Sequence, residues 1–265
     1  MGSATREALA SSRAVLAAHG RTTDLATGDG LLDSGRVIGD SPQLLSALVD
    51  PAADASAKAT LVAAVFSTAL TPTALDLLQT VAAARWSSHS DLLAGIEELG
   101  LRAVAASAPA SGAVEAELFA FGTAVASNGE LELALASKLG APRAKVGLVN
   151  SLLTGKVSEQ TLVIVRHLVQ QPRGRRIGEL LRFAATIVAD EGGTSIATVT
   201  MADPLSGVQL ERLRTSLTAR YGRTLTINQI VDRTLVGGVR VQIGDDVIDG
   251  TIATRLKDLR LQLAG

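Results

Sequence analysis

The sequence predicts a mainly α protein with a small α/β domain at its C-terminal end. The expected order is an N-terminal helical bundle, duplicated, followed by a β-α-β-β-β-α unit. Three observations lead there. Hydrophobic residues make up 47% and aromatics only 2%, and the apolar share is carried by Ala, Leu and Val, as in packed helices. Over the first 190 residues apolar side chains recur at steps of three and four, as in Leu148 and Leu152 or Leu162, Val165, Leu168 and Val169. After Gly193 the pattern changes to β-branched runs with a period of two.

Helix starts are marked by hydroxyl or amide caps. Ser41-Pro42 and Thr71-Pro72 each place a capping oxygen before a proline at the first helical position. Asn128 and Ser158 read as further caps. A shift of 87 residues aligns 31–99 with 118–186 without a gap and gives 11 identities in 69 positions. Ser41 then falls on Asn128, Thr71 on Ser158, and AKATLV (57–62) on AKVGLV (144–149). The alignment favours a duplicated helical segment over two segments that merely share a composition. Small-residue breaks at 108–112 and at Gly192-Gly193 divide the chain into 1–110, 111–192 and 193–265. The formal charges of these parts are −4 (7 basic, 11 acidic), +1 (9 and 8) and +2 (9 and 7).

In the last part, Ser195–Thr200 reads as a strand and Ser206 to Gln209 as a capping box opening a helix. Leu210, Leu213 and Leu217 line that helix. Leu225–Val231 is a second strand, and Val239, Val241 and Ile243 alternate as a third. Gly244-Asp245-Asp246 turns the chain into a hairpin that returns through Val247-Ile248. A closing helix carries Ile252, Leu256, Leu259 and Leu263 on one stripe.

Several function classes are excluded early. A net charge of −1 and a pI near 6.3 do not suit a protein that binds nucleic acid through its overall charge. There is no cysteine, hence no disulfide, thiolate metal site or thiol nucleophile. The longest uncharged run, Ala59–Leu75, is 17 residues and too polar to span a bilayer. Arg6, Glu7 and Arg13 interrupt the N-terminus, so no secretory leader is expected. His19, His89 and His167 lack a second ligand at helical spacing and read as surface or capping residues. Gly28-Asp29-Gly30 begins like a dinucleotide loop but has Asp33 in place of the third glycine and no preceding strand, so it reads as a flexible stretch. Asp245, Asp246 and Asp249 fit a polar hairpin turn better than an acid–base pair. Arg173, Arg175 and Arg176 could hold a phosphate or an acidic partner, though a solvated surface is the plainer reading. No catalytic constellation, metal cluster or cofactor loop assembles, which points to an interaction protein.

The stretch Leu225–Leu263 resembles the C-terminal signature of the delta subunit family of F-type ATP synthases, whose mitochondrial counterpart is the oligomycin-sensitivity-conferring protein. The matching residues are Val231, Asp232, Leu235, Gly237, Gly238, Val239, Val241, Gly244 and the run Val247-Ile248-Asp249-Gly250. Upstream, VTMADPLSGVQLERLRTSL is similar to the family's strand and helix, and residues 115–190 resemble its helical bundle more loosely. The first 110 residues resemble the longer actinobacterial form.

The resemblance implies a non-catalytic stator with no cofactor, one copy per complex, peripheral on the cytoplasmic face of the cell membrane. Its bundle would hold the N-terminal helix of an alpha subunit, and its C-terminal domain the C-terminal helices of the b subunits. With no hydrophobic anchor in this chain, a separate b subunit is implied. The glycine pair should let the hairpin enter sharply, and the Ile252/Leu256/Leu259/Leu263 stripe should serve the core or a b helix. On a wheel of 161–170, Val163 stands beside Arg166 and His167, opposite the apolar arc, and its 87-residue match is Asp76. The 115–190 bundle is therefore expected to grip the alpha helix through Leu162, Val163, Arg166 and His167. The competing readings are a generic helical adaptor with an α/β tail and a nucleic-acid module. The latter is disfavoured by a local charge of +2 and a single aromatic, Tyr221.

Overall fold

The computed structural model describes residues 2–109, 111–137, 141–244, 246–252 and 254. The chain divides into two compact units, residues 1–192 and 193–265.

The first unit is helical throughout. Its elements are α1 (Ser3–His19), α2 (Leu25–Asp40), α3 (Pro42–Val49), α4 (Ala55–Phe66), α5 (Pro72–Ala83) and α6 (His89–Ala106). There follow α7 (Ser111–Ala126), α8 (Gly129–Ala136), α9 (Pro142–Leu153), α10 (Glu159–Gln170) and α11 (Ile177–Glu191). The four expected caps are present. Ser41, Thr71, Asn128 and Ser158 each accept a hydrogen bond from the backbone N–H three residues on. Asp24 and Ser88 cap α2 and α6 in the same way.

Adding 87 to the bounds of α3, α4 and α5 gives 129–136, 142–153 and 159–170, the bounds of α8, α9 and α10. The same shift takes α2 to 112–127, one residue from α7, and α6 to 176–193, overlapping α11. It also takes α1 to 90–106, which is α6. Packing follows the shift: α2 lies on α6 as α7 lies on α11, α4 on α5 as α9 on α10, and α1 on α5 and α6 as α6 on α10 and α11. Two six-helix bundles therefore share α6, the last helix of one and the first of the other.

A shared helix must be buried on every side, and α6 is buried continuously from Gly95 to Ala105. Close approach makes this possible. A Cβ on Gly28 of α2 would stand 2.6 Å from the Val104 backbone N, and one on Gly100 of α6 would stand 2.7 Å from Leu32. The run Gly28-Asp29-Gly30, expected as a flexible stretch, thus lies inside a helix whose first glycine admits a neighbouring backbone. The core of the first bundle joins Leu31, Ile38, Leu48, Leu77, Leu78, Ile96 and Leu99. Trp86 closes it, donating from Nε1 to the Val81 carbonyl at 2.8 Å.

The second unit contains β1 (Ser195–Met201), α12 (Gly207–Tyr221), β2 (Leu225–Val231), β3 (Val239–Ile243) and β4 (Asp246–Asp249). The sheet order is β2-β1-β3-β4. β1 and β2 are parallel, joined by α12, while β3 is antiparallel to both β1 and β4. The capping box Ser206/Gln209 starts α12. Ala197, Val199, Met201, Leu225 and Val241 share the sheet face that packs on Leu217, with Leu213 and Tyr221 beside them. Leu210, at the end of the expected stripe, is half-buried. Ile243 pairs with Asp246 across the hairpin, and Gly244 takes φ 58° after β3. The backbone is helical at Ile252 and Thr254. Leu256, Leu259 and Leu263 of the expected closing helix lie outside the described residues.

A Cβ on Gly238 (φ 87°) would stand 2.5 Å from the Gly250 carbonyl oxygen and 2.7 Å from the Thr251 Cα. Gly238→Ala is expected to destabilise the second unit by about 2–4 kcal/mol, combining backbone strain with a main-chain clash. Gly244→Ala meets no atom within 4 Å and should cost only about 1–2 kcal/mol. Urea unfolding followed at Tyr221, the single tyrosine, checks both.

Candidate functional site

Three of the buried charged residues of the first unit, Glu97, Glu98 and Arg102, lie on α6. Glu97 is 1% exposed, yet its carboxylate is fully engaged by the second bundle. Arg175 donates from Nη2 to both carboxylate oxygens at 2.9 and 2.7 Å. His167 Nε2 lies 3.4 Å from Oε1, and Arg173 Nη2 lies 3.7 Å from Oε2. Burial alone would raise the Glu97 carboxyl. The His167 hydrogen bond and the two guanidinium groups outweigh it and hold Glu97 below the ordinary carboxylate range.

A turn further on, buried Arg102 donates to Glu98 Oε1 at 2.9 Å, Asp190 Oδ2 at 2.6 Å and Glu191 Oε2 at 3.2 Å. Arg13 of α1 also donates to Glu98, at 2.8 Å. Thus Glu98 and Arg102 link α1 through α6 to α11. On α2, Asp29 has its carboxyl raised by burial and by Asp33, while Arg166 and His167 act in the opposite sense. Of the acidic residues in 1–110, Glu97 is met by basic residues of the second bundle, while Asp33, Asp76 and Glu98 pair within the first segment.

These contacts correct several expectations. Val163 is 8% exposed and His167 6%, and Leu162 is also buried. A wheel drawn for α10 alone leaves Val163 and His167 facing water. In the folded unit α2 and α6 of the first bundle lie against α10 and cover that arc. Arg166, half-buried, donates to Asn150 Oδ1 of α9 at 2.7 Å. Arg173 and Arg175 are ion-pair partners of Glu97 rather than solvated surface, and Arg175 also stacks over the Phe183 ring at 5.3 Å. Arg176 is exposed at the start of α11. His19 pairs with Asp76 at 2.8 Å, and His89 is exposed at the first position of α6. Asp33 pairs with Arg36 at 2.7 Å. The residues that sequence reasoning missed are Glu97, Glu98 and Arg102. Their signal was three charges inside an apolar helical run, which solvent cannot account for.

In the second unit the signature residues form one turn and its seat. Asp232 Oδ1 accepts from the Thr234 N–H at 2.9 Å and from its hydroxyl at 2.6 Å, while the Asp232 N–H bonds the Met201 carbonyl at 2.8 Å. Gly237 and Gly238, at φ 147° and 87°, bring the chain down on the segment leaving β4. There the Gly250 N–H reaches the Val239 carbonyl at 2.9 Å and the Ile252 N–H reaches the Gly237 carbonyl at 3.1 Å. Asp249 Oδ1 accepts from the Thr251 N–H at 2.9 Å. Half-buried Leu235 lies in the turn, and Val239 and Val241 face the core. Exposed at this end are Val231, Val236 at 82% and Ile252 at 43%. Tyr221 donates to Asp246; Asp245 lies outside the described residues. Among the described residues no three His, Asp or Glu side chains gather as metal ligands.

Ion pairs that lock helices together, and glycines that seat a turn, define a structural protein whose polar groups hold elements rather than a reacting molecule. The family model described as "ATP synthase delta (OSCP) subunit" matches residues 100–263, from within α6 to the end of the second unit. The ATP synthase subunit delta of Leifsonia xyli subsp. xyli is 56% identical over 265 residues, covering 100% of both chains. That of Streptomyces coelicolor is 38% identical over 270 aligned positions, covering 100% of this chain and 98% of its own. A chain of the Toxoplasma gondii mitochondrial ATP synthase hexamer superposes with a TM-score of 0.43 at 17% identity, covering 63% of this chain and 95% of that one. The chain belongs to the ATP synthase delta (OSCP) subunit family. It is thus a stator subunit of an F-type ATP synthase and is not catalytic by itself.

Glu97→Ala leaves Arg175, Arg173 and His167 without their buried anion and is expected to cost about 3–5 kcal/mol. Because the folded-state pKa of Glu97 is depressed, its contribution is complete above the unfolded value of about 4.3 and is lost as pH falls through the folded value. Thermal melts of the wild type followed at Trp86, the single tryptophan, should fall on acidification below that range. Melts of Glu97→Gln should start lower and lack that part of the acid dependence.

Proposed function

We propose that the helical unit holds the alpha/beta catalytic head through an N-terminal helix of an alpha subunit. In this reading the α/β unit holds the C-terminal helices of the b subunits. One copy braces each complex at the cytoplasmic face of the cell membrane, so that rotor torque drives ATP synthesis instead of turning the head. The observation that carries this reading is the division into two compact units with separate cores, each large enough to present a face of its own. No helix among the described residues is long and apolar enough to cross a membrane, which suits a peripheral position held through partners.

The local physics suits a brace. A member that resists twisting must not yield at its internal joint, and the two bundles are joined by a common helix rather than a linker. Exposed apolar side chains at the signature turn, Val236 and Ile252, suit an amphipathic partner helix on the second unit.

Membranes carrying the complex without this chain should hydrolyse ATP at the head but fail to make it from an imposed proton gradient. Adding back the purified chain should restore synthesis, and full coupling in its absence would refute the role. Ile252→Asp should weaken binding to peptides from the C-terminal end of the b helices by about tenfold, or about 1.4 kcal/mol, with head binding unchanged. Isothermal titration against each partner separates the two effects.

A further inference from the structure

The sheet of the second unit has two outer strands, β2 and β4, and they are unlike. β4 has four residues, two of them aspartates, Asp246 and Asp249. A short, charged outer strand is a common guard against pairing with another chain. β2 runs for seven residues, Leu225–Val231 (LTINQIV), and contains no charged residue, proline or glycine. Charges stand only beyond its ends, at Arg223, Asp232 and Arg233.

Hydrogen bonds fix which main-chain groups of β2 face outward. The Ser195 N–H reaches the Thr224 carbonyl at 3.0 Å, and the Asp232 N–H reaches the Met201 carbonyl at 2.8 Å. In the parallel register between them, Thr226, Asn228 and Ile230 also turn their main-chain groups to β1. The N–H and C=O groups of Leu225, Ile227, Gln229 and Val231 therefore point away from the sheet, and among the described residues they have no main-chain partner. At the same edge Ile230 and Val231 are 39% and 45% exposed. An outward row of alternating donors and acceptors is matched by another extended main chain.

We infer that in the free chain β2 pairs with β2 of a second copy, antiparallel and centred on Asn228. The strand's own sequence supplies the fit. About that centre Leu225 of one copy meets Val231 of the other, and Ile227 meets Gln229. Each outward-facing residue thus meets another, and the two exchange both hydrogen bonds. Thr226 of one copy meets Ile230 of the other on the opposite face of the sheet, so the exposed isoleucine is covered. The seven paired positions bring no charge together, and a two-fold contact of this kind closes at two copies. The product is one continuous sheet with a guarded β4 at each end. The pairing is independent of which partners the two units hold in the complex.

Sedimentation equilibrium of the purified full chain at tens of micromolar should give a mass near twice 27.2 kDa, falling on dilution. Val231→Pro removes a donor that the sheet itself leaves unused, and Ile230→Lys adds the kind of charge that guards an edge. Each should weaken the dimer by about tenfold or more, while the urea midpoint followed at Tyr221 stays unchanged. The chain has no cysteine, so introduced thiols report the register. Thr226 and Ile230 lie too far apart along one strand to be bridged, but each opposes the other across the pair. Oxidised Thr226→Cys/Ile230→Cys should therefore run as a covalent dimer on a denaturing gel, whereas Val247→Cys on β4 should run as a monomer. A chain that is monomeric throughout this range would overturn the pairing. So would a dimer that survives both Val231→Pro and Ile230→Lys, or one that is bridged through β4 as readily as through β2.

Discussion

The carboxylate of Glu97 sits where the two bundles meet, on the helix that both of them need. Removing a carboxylate from water costs several kcal/mol even after the surroundings relax, so it stays there only if its oxygens are satisfied. Arg175 supplies a two-oxygen contact, and His167 and Arg173 complete the shell. These three partners come from the second bundle, while Glu97 comes from the helix that closes the first. An apolar residue here would pack with comparable strength but would not distinguish one turn of α10 from the next. The ion cluster fixes register, which a seam of Ala and Leu would leave loosely specified.

The same logic explains the charge distribution. In sequence, an acidic first segment and a basic loop between α10 and α11 resemble surfaces awaiting foreign partners. In the fold, Arg173 and Arg175 of that loop pair with Glu97, and Arg102 of the first segment pairs with Glu98, Asp190 and Glu191. The second unit solves a different problem, the close approach of two main-chain segments. Gly238 brings backbone onto backbone at Gly250 and Thr251, a spacing that any side chain would prevent. The signature residues around it are therefore chiefly architectural: Asp232 and Asp249 hold turns, while Val236 and Ile252 remain exposed.

Much of this is legible in the sequence because the governing interactions are local. Capping oxygens place helix starts at Ser41, Thr71, Asn128 and Ser158, and the switch from a period of 3.6 to one of 2 separates the helical unit from the sheet. The parallel β1–β2 pair follows from a strand, a capped helix and a second strand. Exposure on α10 is not legible, because a wheel knows only its own helix and α2 is more than 100 residues away in sequence. The double role of α6 stays hidden because the repeat aligns only from Leu31 onward. That start omits α1, the element whose match is α6. Buried Glu97, Glu98 and Arg102 are visible as charges in an apolar run, but their partners come from a different bundle.

Sharing a helix changes what a duplication can do. Two bundles joined by a linker keep two equivalent faces and a hinge between them. Two bundles built on one helix lose the hinge, since α6 cannot rotate against itself. They also lose one face, because α2 must lie against α6 to complete its own bundle and then reaches α10 of the next. The result is a stiffer member with an asymmetric surface, in which the α6/α10 face is taken up by internal packing with α2. Stiffness and asymmetry are thus consequences of the same 87-residue geometry, and both suit a chain whose task is to transmit force without turning.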